Sequence, residues 1–186
     1  MEIIASAIPG CLELLPPVHH DERGRFVKVF HQKLFAGMGL ATNFAEEYYS
    51  ISHANVLRGL HFQLPPHDHT KLVYCVAGGV TDVVVDLRKG SPSYGRHVKF
   101  ELSAQRANAI YILSGMAHGF YVPSGSATMV YKVTSVYAAA HDSGILWSSA
   151  GIDWGGASPL LSKRDASLPP LAEFVSPFDF VEGRHG

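Results

Sequence analysis

Residues 72–87 read LVYCVAGGVTDVVVDL, two apolar runs that meet at Gly78 and Gly79. Both runs are rich in β-branched residues, which fit extended strands. A pair of glycines between two such runs is typical of a tight turn, so the stretch predicts two strands joined as a hairpin. Because side chains alternate along a strand, Asp82 and Asp86 share a face with Val84, and that face is expected to be partly polar.

Further short strands are predicted on the C-terminal side of this stretch, at residues 97–102, 109–113, 120–123 and 128–136. Turn-forming residues at 91–95, 114–115 and 123–125 separate them. Many short strands with frequent turns indicate a sandwich or barrel, and double-sheet jelly rolls, which include cupins, fit the pattern. The one helix candidate covers residues 32–38 and ends at Gly39. We therefore predict an all-β jelly-roll barrel with short flanking helices.

The chain reads as one domain of residues 1–186, in which the Gly-, Ser- and Pro-rich segment from about residue 148 packs over the barrel. It is 47% hydrophobic and 17% charged, which is ordinary for a globular protein and argues against wholesale disorder. The formal net charge of −1 and the absence of a basic cluster argue against a nucleic-acid partner.

A membrane association is not expected, since no apolar run approaches the length of a membrane span and the first residues lack the basic start of a signal peptide. Cys11 and Cys75 lie among apolar neighbours and are interpreted as small core residues rather than a disulfide framework. Unpaired cysteines suit a reducing compartment, so a cytoplasmic location is expected.

Polar groups concentrate in four segments next to predicted strands. The first reads DERGRF at 21–26, and the second reads VLRGLHFQ at 56–63, followed by His67, His69 and Lys71. The third reads SGMAHGF at 114–120, and the fourth reads YKVTSVY at 131–137, with Asp165 beyond it. These segments are candidates for a shared site.

In order and spacing these segments resemble the deoxythymidine-diphosphate (dTDP)-4-dehydrorhamnose 3,5-epimerase family, over nearly the whole chain. The shared motifs are Asp-x-Arg-Gly-x-Phe, Val-Leu-Arg-Gly-Leu-His-x-Gln, Lys-Leu-Val, Asp-Val-x-Val-Asp-Leu-Arg-x-Gly-Ser-Pro, Ala-His-Gly-Phe and Tyr-Lys-x-Thr-x-x-Tyr. The resemblance implies a cupin fold and a homodimer in which strands exchange between subunits. It also implies a nucleoside-diphosphate 4-keto-6-deoxy sugar as substrate, with no metal or organic cofactor.

The implied reaction inverts a carbon beside a ketone. A hydrogen at C3 or C5 lies next to the C4 ketone, so its removal gives an enolate, and its return from the other face inverts the centre. Histidine suits the base because it titrates near neutral pH. The resemblance assigns the base to His61, its orientation to Asp165, the acid to Tyr131, and stabilisation of the C4 oxyanion to Lys71.

The resemblance also implies a set of substrate-binding positions. Arg23 and Arg58 match positions that hold the diphosphate, where a forked guanidinium suits phosphate oxygens. Phe26 would line the sugar pocket, and His118 would add a hydrogen-bond donor. The remaining positions in the set are Lys28, Glu46, Tyr48, Tyr137 and Lys163.

Three of these positions depart from the family pattern. Glu46 and Tyr48 replace a glutamine and an asparagine, and Lys28 replaces a glutamate. A carboxylate and a phenol cannot copy the hydrogen bonds of carboxamides. A cytidine or guanosine carrier, or an unusual sugar, is therefore an alternative to the dTDP-linked substrate, and inversion of C3 alone is an alternative to inversion of C3 and C5.

Two further classes of function stay open. His67 and His69 form a His-x-His pair, and with His118 they match histidine spacings of metal-binding cupins, so a metal-dependent cupin enzyme is one alternative. Tyr74 stands where those proteins usually carry a glutamate ligand. The other alternative is a cupin that binds sugar nucleotides without catalysis, which would have no need of an acid and a base together.

Overall fold

A computed structural model describes residues 1–156 and 158–183, so residue 157 and residues 184–186 of the predicted domain lie outside the described residues. Strands form most of the regular structure. They are β1 Glu2–Ala5, β2 Cys11–Leu15, β3 Val18–Asp21, β4 Gly24–Val27, β5 Glu46–His53, β6 Leu57–Gln63, β7 Lys71–Ala77, β8 Gly79–Asp86, β9 His97–Ser103, β10 Ala109–Ile112, β11 Met116–Tyr121, β12 Ser126–Val133 and β13 Asp142–Gly144. The helices are α1 Gln32–Gly37 and α2 Lys163–Ala166, with 3₁₀ turns at Ala139–His141 and Leu171–Glu173.

Two antiparallel sheets carry the fold. One has six strands in the order β1-β2-β10-β7-β12-β5, and the other has five in the order β13-β6-β11-β8-β9. A separate two-stranded sheet pairs β3 with β4. The predicted all-β jelly roll of the cupin class, with short flanking helices, is confirmed.

The predicted hairpin at residues 72–87 is wrong. Its two strands form, as β7 and β8, but β7 pairs with β10 and β12 while β8 pairs with β9 and β11. Gly78 adopts φ +74°, and a Cβ there would collide with the carbonyl oxygen of Ser126. The glycine pair therefore marks a corner at which the chain passes from one sheet to the other. A corner and a hairpin turn make the same demand for glycine, so the sequence alone does not separate them.

Strand β8 is buried on both faces, which explains its unbroken apolar run. Val84 belongs to the core cluster that also contains Val73 and Met129 of the six-stranded sheet. Val83 and Val85 belong to a second cluster with Trp154 and Phe178 of the C-terminal segment. Asp82 and Asp86, expected on a partly polar face, are fully buried and hydrogen-bonded.

Both cysteines are free and buried, as the sequence predicts. Burial raises the pKa of the Cys11 thiol to about 12, so it stays protonated. Among the described residues, no helix combines the length and the apolar character needed to cross a membrane.

Candidate active site

The candidate base is held by a buried carboxylate. His61 lies on β6, and its Nε2 is 2.8 Å from Oδ1 of Asp165. Asp165 is 3% exposed. It is placed by α2, where its backbone N–H donates to the Oγ of the N-cap Ser162. The other carboxylate oxygen accepts the backbone N–H of Gly59 at 3.2 Å.

The charge of Asp165 fixes how His61 presents its ring. Burial alone would raise the pKa of this carboxyl, but the hydrogen bonds and charge that reach it, above all from His61, hold it below its usual range. An ionised Asp165 accepts a hydrogen bond from Nε2–H, which keeps the proton on Nε2 and leaves Nδ1 of the same ring as the proton acceptor. His61 has a side chain that is 29% exposed, so this nitrogen can meet a ligand.

The candidate acid enters from the other sheet. Tyr131 lies on β12 and is 7% exposed. Its hydroxyl is 3.4 Å from Oγ of Ser50, and its ring stacks on that of Tyr48. Burial raises the pKa of Tyr131 well above its usual value, so the phenol carries its proton at neutral pH.

Lys71 lies at the start of β7 and is almost fully buried. Its Nζ donates to the backbone carbonyl of His61 at 3.1 Å. Burial lowers the pKa of the ammonium to about 8, although the charges of Asp142 and Asp82 oppose the shift. Lys71 therefore places a titratable donor beside the base.

His61, Lys71 and Tyr131 open onto one cavity of about 220 Å³, the His61–Tyr131 cavity. Arg58, His118 and Tyr48 also line it. A second cavity of about 360 Å³, the Tyr137 cavity, shares Tyr48, His61 and Lys71 with the first. The two cavities therefore adjoin at the candidate base.

A second histidine–carboxylate pair, His118 with Asp82, lies at the wall of the His61–Tyr131 cavity. Nε2 of His118 lies 2.8 and 3.0 Å from the two carboxylate oxygens of Asp82. Burial raises the pKa of Asp82, and His118 and Lys71 act against that shift. The pair fixes the ring of His118, which is inclined by 70° to the ring of Tyr131 with 6.1 Å between centroids.

Arg58 keeps part of its guanidinium for a ligand. Its Nε donates to Oγ of Ser52 at 2.9 Å, and one Nη makes a longer bond to the carbonyl of Ile51 at 3.5 Å. The residue is exposed and lines the His61–Tyr131 cavity. It can therefore bring positive charge to an anionic group of the substrate.

Glu46 and Tyr137 are joined in the Tyr137 cavity. Oε1 of Glu46 accepts the backbone N–H of Tyr137 at 3.1 Å. The phenol of Tyr137 lies 3.4 Å from Asp142, and the ring is 61% exposed. Glu46, expected to contact substrate, thus already anchors the segment that carries Tyr137.

Four of the residues predicted to bind substrate line neither cavity. Arg23 pairs with Asp21 in the turn between β3 and β4, and its side chain is 90% exposed. Phe26 and Lys28 belong to the same hairpin region, with Nζ of Lys28 6.0 Å from the centre of the Phe26 ring. Lys163 is exposed at the start of α2.

Several residues of the Tyr137 cavity were not assigned to substrate binding by the sequence reasoning, although Gln63 and His69 lie in or beside a candidate segment. Arg164 lines the Tyr137 cavity, pairs with Asp142 at 2.8 Å and lies 3.9 Å from Asp165. Gln63 and His69 line the same cavity and are hydrogen-bonded to each other at 3.2 Å. Gln63 stands inside a recognised motif and could have been found, whereas Asp142 lies in a stretch without any motif.

The histidines of the metal-cupin alternative do not converge. Nδ1 of His69 lies 3.1 Å from Oγ of Ser135, and burial and the charge of Lys71 lower its pKa to about 3. His67 contacts the ring of His141, with centroids 4.5 Å apart. Across residues 1–156 and 158–183, no group of three or more His, Cys, Asp or Glu side chains is arranged to hold a metal ion.

Comparisons with known proteins give one consistent result. The family model described as dTDP-4-dehydrorhamnose 3,5-epimerase matches residues 5–173. A protein of that name from Shigella flexneri is 45% identical over 168 residues, which are 89% of this chain and 93% of the relative.

Solved structures agree with the sequence comparison. A dTDP-6-deoxy-D-glucose-3,5-epimerase from Legionella pneumophila, in complex with dTDP-4-keto-L-rhamnose, superposes with a TM-score of 0.92 at 35% identity, covering 97% of this chain and 99% of that one. A 3'-monoepimerase from Streptomyces bikiniensis, in complex with dTDP-quinovose, gives a TM-score of 0.84 at 35% identity, covering 90% and 86%. The chain belongs to the dTDP-4-dehydrorhamnose 3,5-epimerase family, and its fold is the cupin jelly roll of that family.

Proposed function

We propose that this chain is an epimerase that inverts C3 of a nucleoside-diphosphate 4-keto-6-deoxyhexose in deoxysugar biosynthesis. The observation that carries the proposal is that His61 and Tyr131, from different sheets, open onto one cavity together with Lys71. A base and an acid that enter one cavity from two walls can reach opposite faces of one carbon. A protein that only binds its ligand has no need of that arrangement.

The proton transfers balance within the site. Nδ1 of His61 takes the hydrogen at C3 as a proton. The electron pair of the broken C3–H bond forms the enolate, whose negative charge lies on O4. Tyr131 then gives its proton to C3 from the other face, and the electrons return to the C4 carbonyl. The imidazolium loses its proton to solvent and the phenolate regains one, which restores the enzyme. Positioned acids and bases contribute roughly 10²–10⁴-fold each to such a reaction.

Lys71 is proposed to stabilise the enolate. A buried ammonium beside the developing oxyanion acts in a partly water-excluded site, where its charge counts for more than in bulk water. His118, held by Asp82, is proposed as a second polar group on the same cavity wall.

Similarity to the relatives does not fix the number of carbon centres that this enzyme inverts, so that number needs an experiment. The relatives include proteins named 3,5-epimerases and one named a 3'-monoepimerase, and both kinds share this fold. Each inversion in deuterated water places one solvent deuteron on carbon. The deuteron count gives the number of carbons that exchange, and the configuration of the product at C3 and C5, read by NMR, shows whether one or both of them are inverted.

The nucleotide portion is proposed to bind through Arg58 and the Tyr137 cavity. The solved relatives hold dTDP-linked sugars. Here the Tyr137 cavity is lined by the side chains of Glu46, Asp142 and Arg164. A panel of thymidine-, cytidine- and guanosine-linked 4-keto sugars identifies the carrier by the ratio kcat/KM.

We also propose that the enzyme acts as a homodimer in the cytoplasm and that residues 1–186 form one domain. The hairpin of β3 and β4 carries Arg23 and Phe26 away from both cavities of its own chain. Phe26 is 58% exposed, which suits a residue that contacts a second copy. The buried free thiols Cys11 and Cys75 suit a reducing compartment.

Solvent deuterium incorporation tests the function. Incubation with a 4-keto sugar nucleotide in deuterated water is expected to give an inverted product that carries carbon-bound deuterium. His61→Asn is expected to abolish the incorporation while the protein stays folded. Tight binding of every sugar in the panel without any deuterium uptake would instead identify a non-catalytic sugar-nucleotide binder. Activity that disappears on chelation and returns with a divalent metal would support the metal-dependent alternative.

A further inference from the structure

Tyr48 packs flat against the candidate acid. Tyr48 on β5 and Tyr131 on β12 are direct cross-strand partners in the antiparallel register. Their rings are stacked, with centroids 4.9 Å apart and planes inclined by 17°. Direct partners on one face of a sheet are the pairs whose side chains interact most closely. The contact therefore follows from the strand register.

Tyr131 is buried in the main core cluster, and besides the Tyr48 stack its side chain makes two contacts with polar or aromatic groups among the described residues. Its hydroxyl has one long hydrogen bond, 3.4 Å to Oγ of Ser50. The ring of His118 is inclined by 70° to that of Tyr131, at a greater centroid distance of 6.1 Å. One long hydrogen bond fixes the position of a phenolic oxygen poorly, whereas a stacked ring fixes the plane in which that oxygen moves.

From these contacts we propose that Tyr48 is a positioning residue for Tyr131. Its ring holds the phenol of Tyr131 at the angle from which the proton reaches the far face of the enolate. The inference rests on the proposed epimerase function. It adds a residue that affects whether each enolate goes forward to inverted product or returns to substrate. An enolate that waits too long for Tyr131 regains hydrogen from His61 on the original face and returns to substrate.

The chemistry of Tyr48 suits this role. Partial burial and the nearby carboxylates of Glu46 and Asp142 raise the pKa of Tyr48 to about 12, so its ring brings no charge close to Tyr131. A neutral neighbour does not oppose the phenolate that forms when Tyr131 gives up its proton.

The partition of the enolate provides the test. In deuterated water, His61 exchanges its proton with solvent, so an enolate that reverts gives deuterated substrate with its original configuration. An enolate that goes forward gives deuterated, inverted product. The ratio of inverted product to deuterated substrate early in the reaction measures how well Tyr131 competes. Because the ratio is fixed after the enolate forms, weaker substrate binding does not change it.

Three variants make the test specific. Tyr48→Asn removes the stack and is expected to lower the ratio roughly 3- to 10-fold, the range of an aromatic pair contact. Tyr48→Phe keeps the stack and is expected to keep the wild-type ratio. Tyr49→Asn is the matched control, since Tyr49 is 68% exposed on the opposite face of β5 and lines neither cavity. Thermal unfolding checks that each variant is folded.

The outcomes are distinct. A wild-type ratio in folded Tyr48→Asn, or an equal fall in Tyr48→Phe, would overturn the positioning role. Loss of all deuterium uptake in folded Tyr48→Asn would also overturn it, since Tyr48 would then act before the enolate forms. If the wild-type protein itself incorporates no deuterium from any sugar in the panel, the proposed function fails rather than the role of Tyr48.

Discussion

At the scale of single residues, the orientation of His61 depends on one carboxylate. Oδ1 of Asp165 accepts the hydrogen bond from Nε2–H of His61, with 2.8 Å between the nitrogen and the oxygen, and Asp165 is itself held by Gly59 and Ser162. Asp165→Asn preserves the shape but can donate to the ring, which favours the wrong tautomer. We expect kcat to fall roughly 10²- to 10⁴-fold with little change in KM. Steady-state kinetics with the preferred sugar nucleotide measure it.

Asp153→Asn is the matched control, because it makes the same chemical change at an exposed residue that lines neither cavity. Oδ1 of Asp153 accepts the backbone N–H of Gly155, and the amide oxygen of asparagine can accept the same bond. Its kcat is expected to stay within about 2-fold of the wild type, as for an ordinary surface substitution. An Asp165→Asn enzyme as fast as this control would show that His61 needs no orienting carboxylate.

Deprotonation of Lys71 is expected to set the upper pH limit of activity. Burial lowers its pKa to about 8, so the ammonium loses its proton as the pH rises through that value. The neutral amine no longer places a positive charge beside the enolate. We expect kcat/KM to decline above a pH of about 8, approaching roughly 10-fold per pH unit, as for the loss of one essential proton of the free enzyme. A profile of kcat/KM across the neutral and alkaline range measures the decline.

Lys71→Met separates this group from others that titrate. The variant is expected to be roughly 10²- to 10³-fold slower at neutral pH, the typical loss of one oxyanion-stabilising donor. Its residual activity should show no decline near the pKa of Lys71. The same decline in Lys71→Met would assign the alkaline limit to another group. Thermal unfolding checks that the variant is folded, because the substitution removes the donor to the backbone carbonyl of His61 and a positive charge that acts on buried Asp82.

The sequence predicted the central residues of the candidate site, but not the residues that distant segments add to the Tyr137 cavity. His61, Lys71, His118 and Tyr131 lie in recognised motifs, and all four open onto one cavity. Asp142 and Arg164 join the Tyr137 cavity through contacts between distant segments. Such contacts depend on how loops meet in space, which a pattern along the chain does not record.

At the scale of secondary-structure elements, two glycines bring β6 and β11 close together beside the candidate base. Gly59 adopts φ +140°, and a Cβ there would lie 2.6 Å from Cα of Gly119. We expect Gly59→Ala to destabilise the fold by about 3 kcal/mol, because strain in the left-handed region adds to overpacking between strands. Urea unfolding measures the change.

Gly90→Ala is the matched control for backbone strain alone. Gly90 has φ +80°, but an added Cβ meets nothing within 4 Å. Its cost is expected to be about 1 kcal/mol. Equal losses in the two variants would mean that the close approach of Gly59 and Gly119 contributes nothing to stability.

The sequence pattern located individual strands and helices but did not identify which strands pair. The predicted strand at 97–102 appears as β9 His97–Ser103, and the predicted helix at 32–38 appears as α1 Gln32–Gly37. The pairing of β7 with β8 was wrong because turn residues report a change of direction, not the partner strand. Strand partners are chosen by packing between distant residues, and local propensity carries no information about them.

At the scale of the whole molecule, the proposed homodimer predicts complementation between two defective chains. In a mixed dimer of His61→Asn and Arg23→Ala subunits, one site combines an intact His61 with an intact Arg23 from the neighbour. If the β3–β4 hairpin serves the partner's site, random mixing after unfolding and refolding should restore about a quarter of the wild-type activity. Kinetic assays of the refolded mixture, beside each variant refolded alone, measure the recovery.

No recovery in a mixture shown to contain mixed dimers would mean that Arg23 serves its own chain or no site at all. A monomer in sedimentation or light scattering would contradict the homodimer directly. Neither result would bear on the proton transfers, because His61 and Tyr131 come from one chain.

The account as a whole depends on a base and an acid that act on opposite faces of one carbon. The most direct measurement compares the carbon-bound deuterium in substrate and product formed by Tyr131→Phe and His61→Asn in deuterated water. We predict that Tyr131→Phe yields deuterated substrate of unchanged configuration and almost no inverted product, while His61→Asn yields no deuterium in either. Inverted, deuterated product formed by Tyr131→Phe at the wild-type rate, or exchange that persists in His61→Asn, would contradict the account.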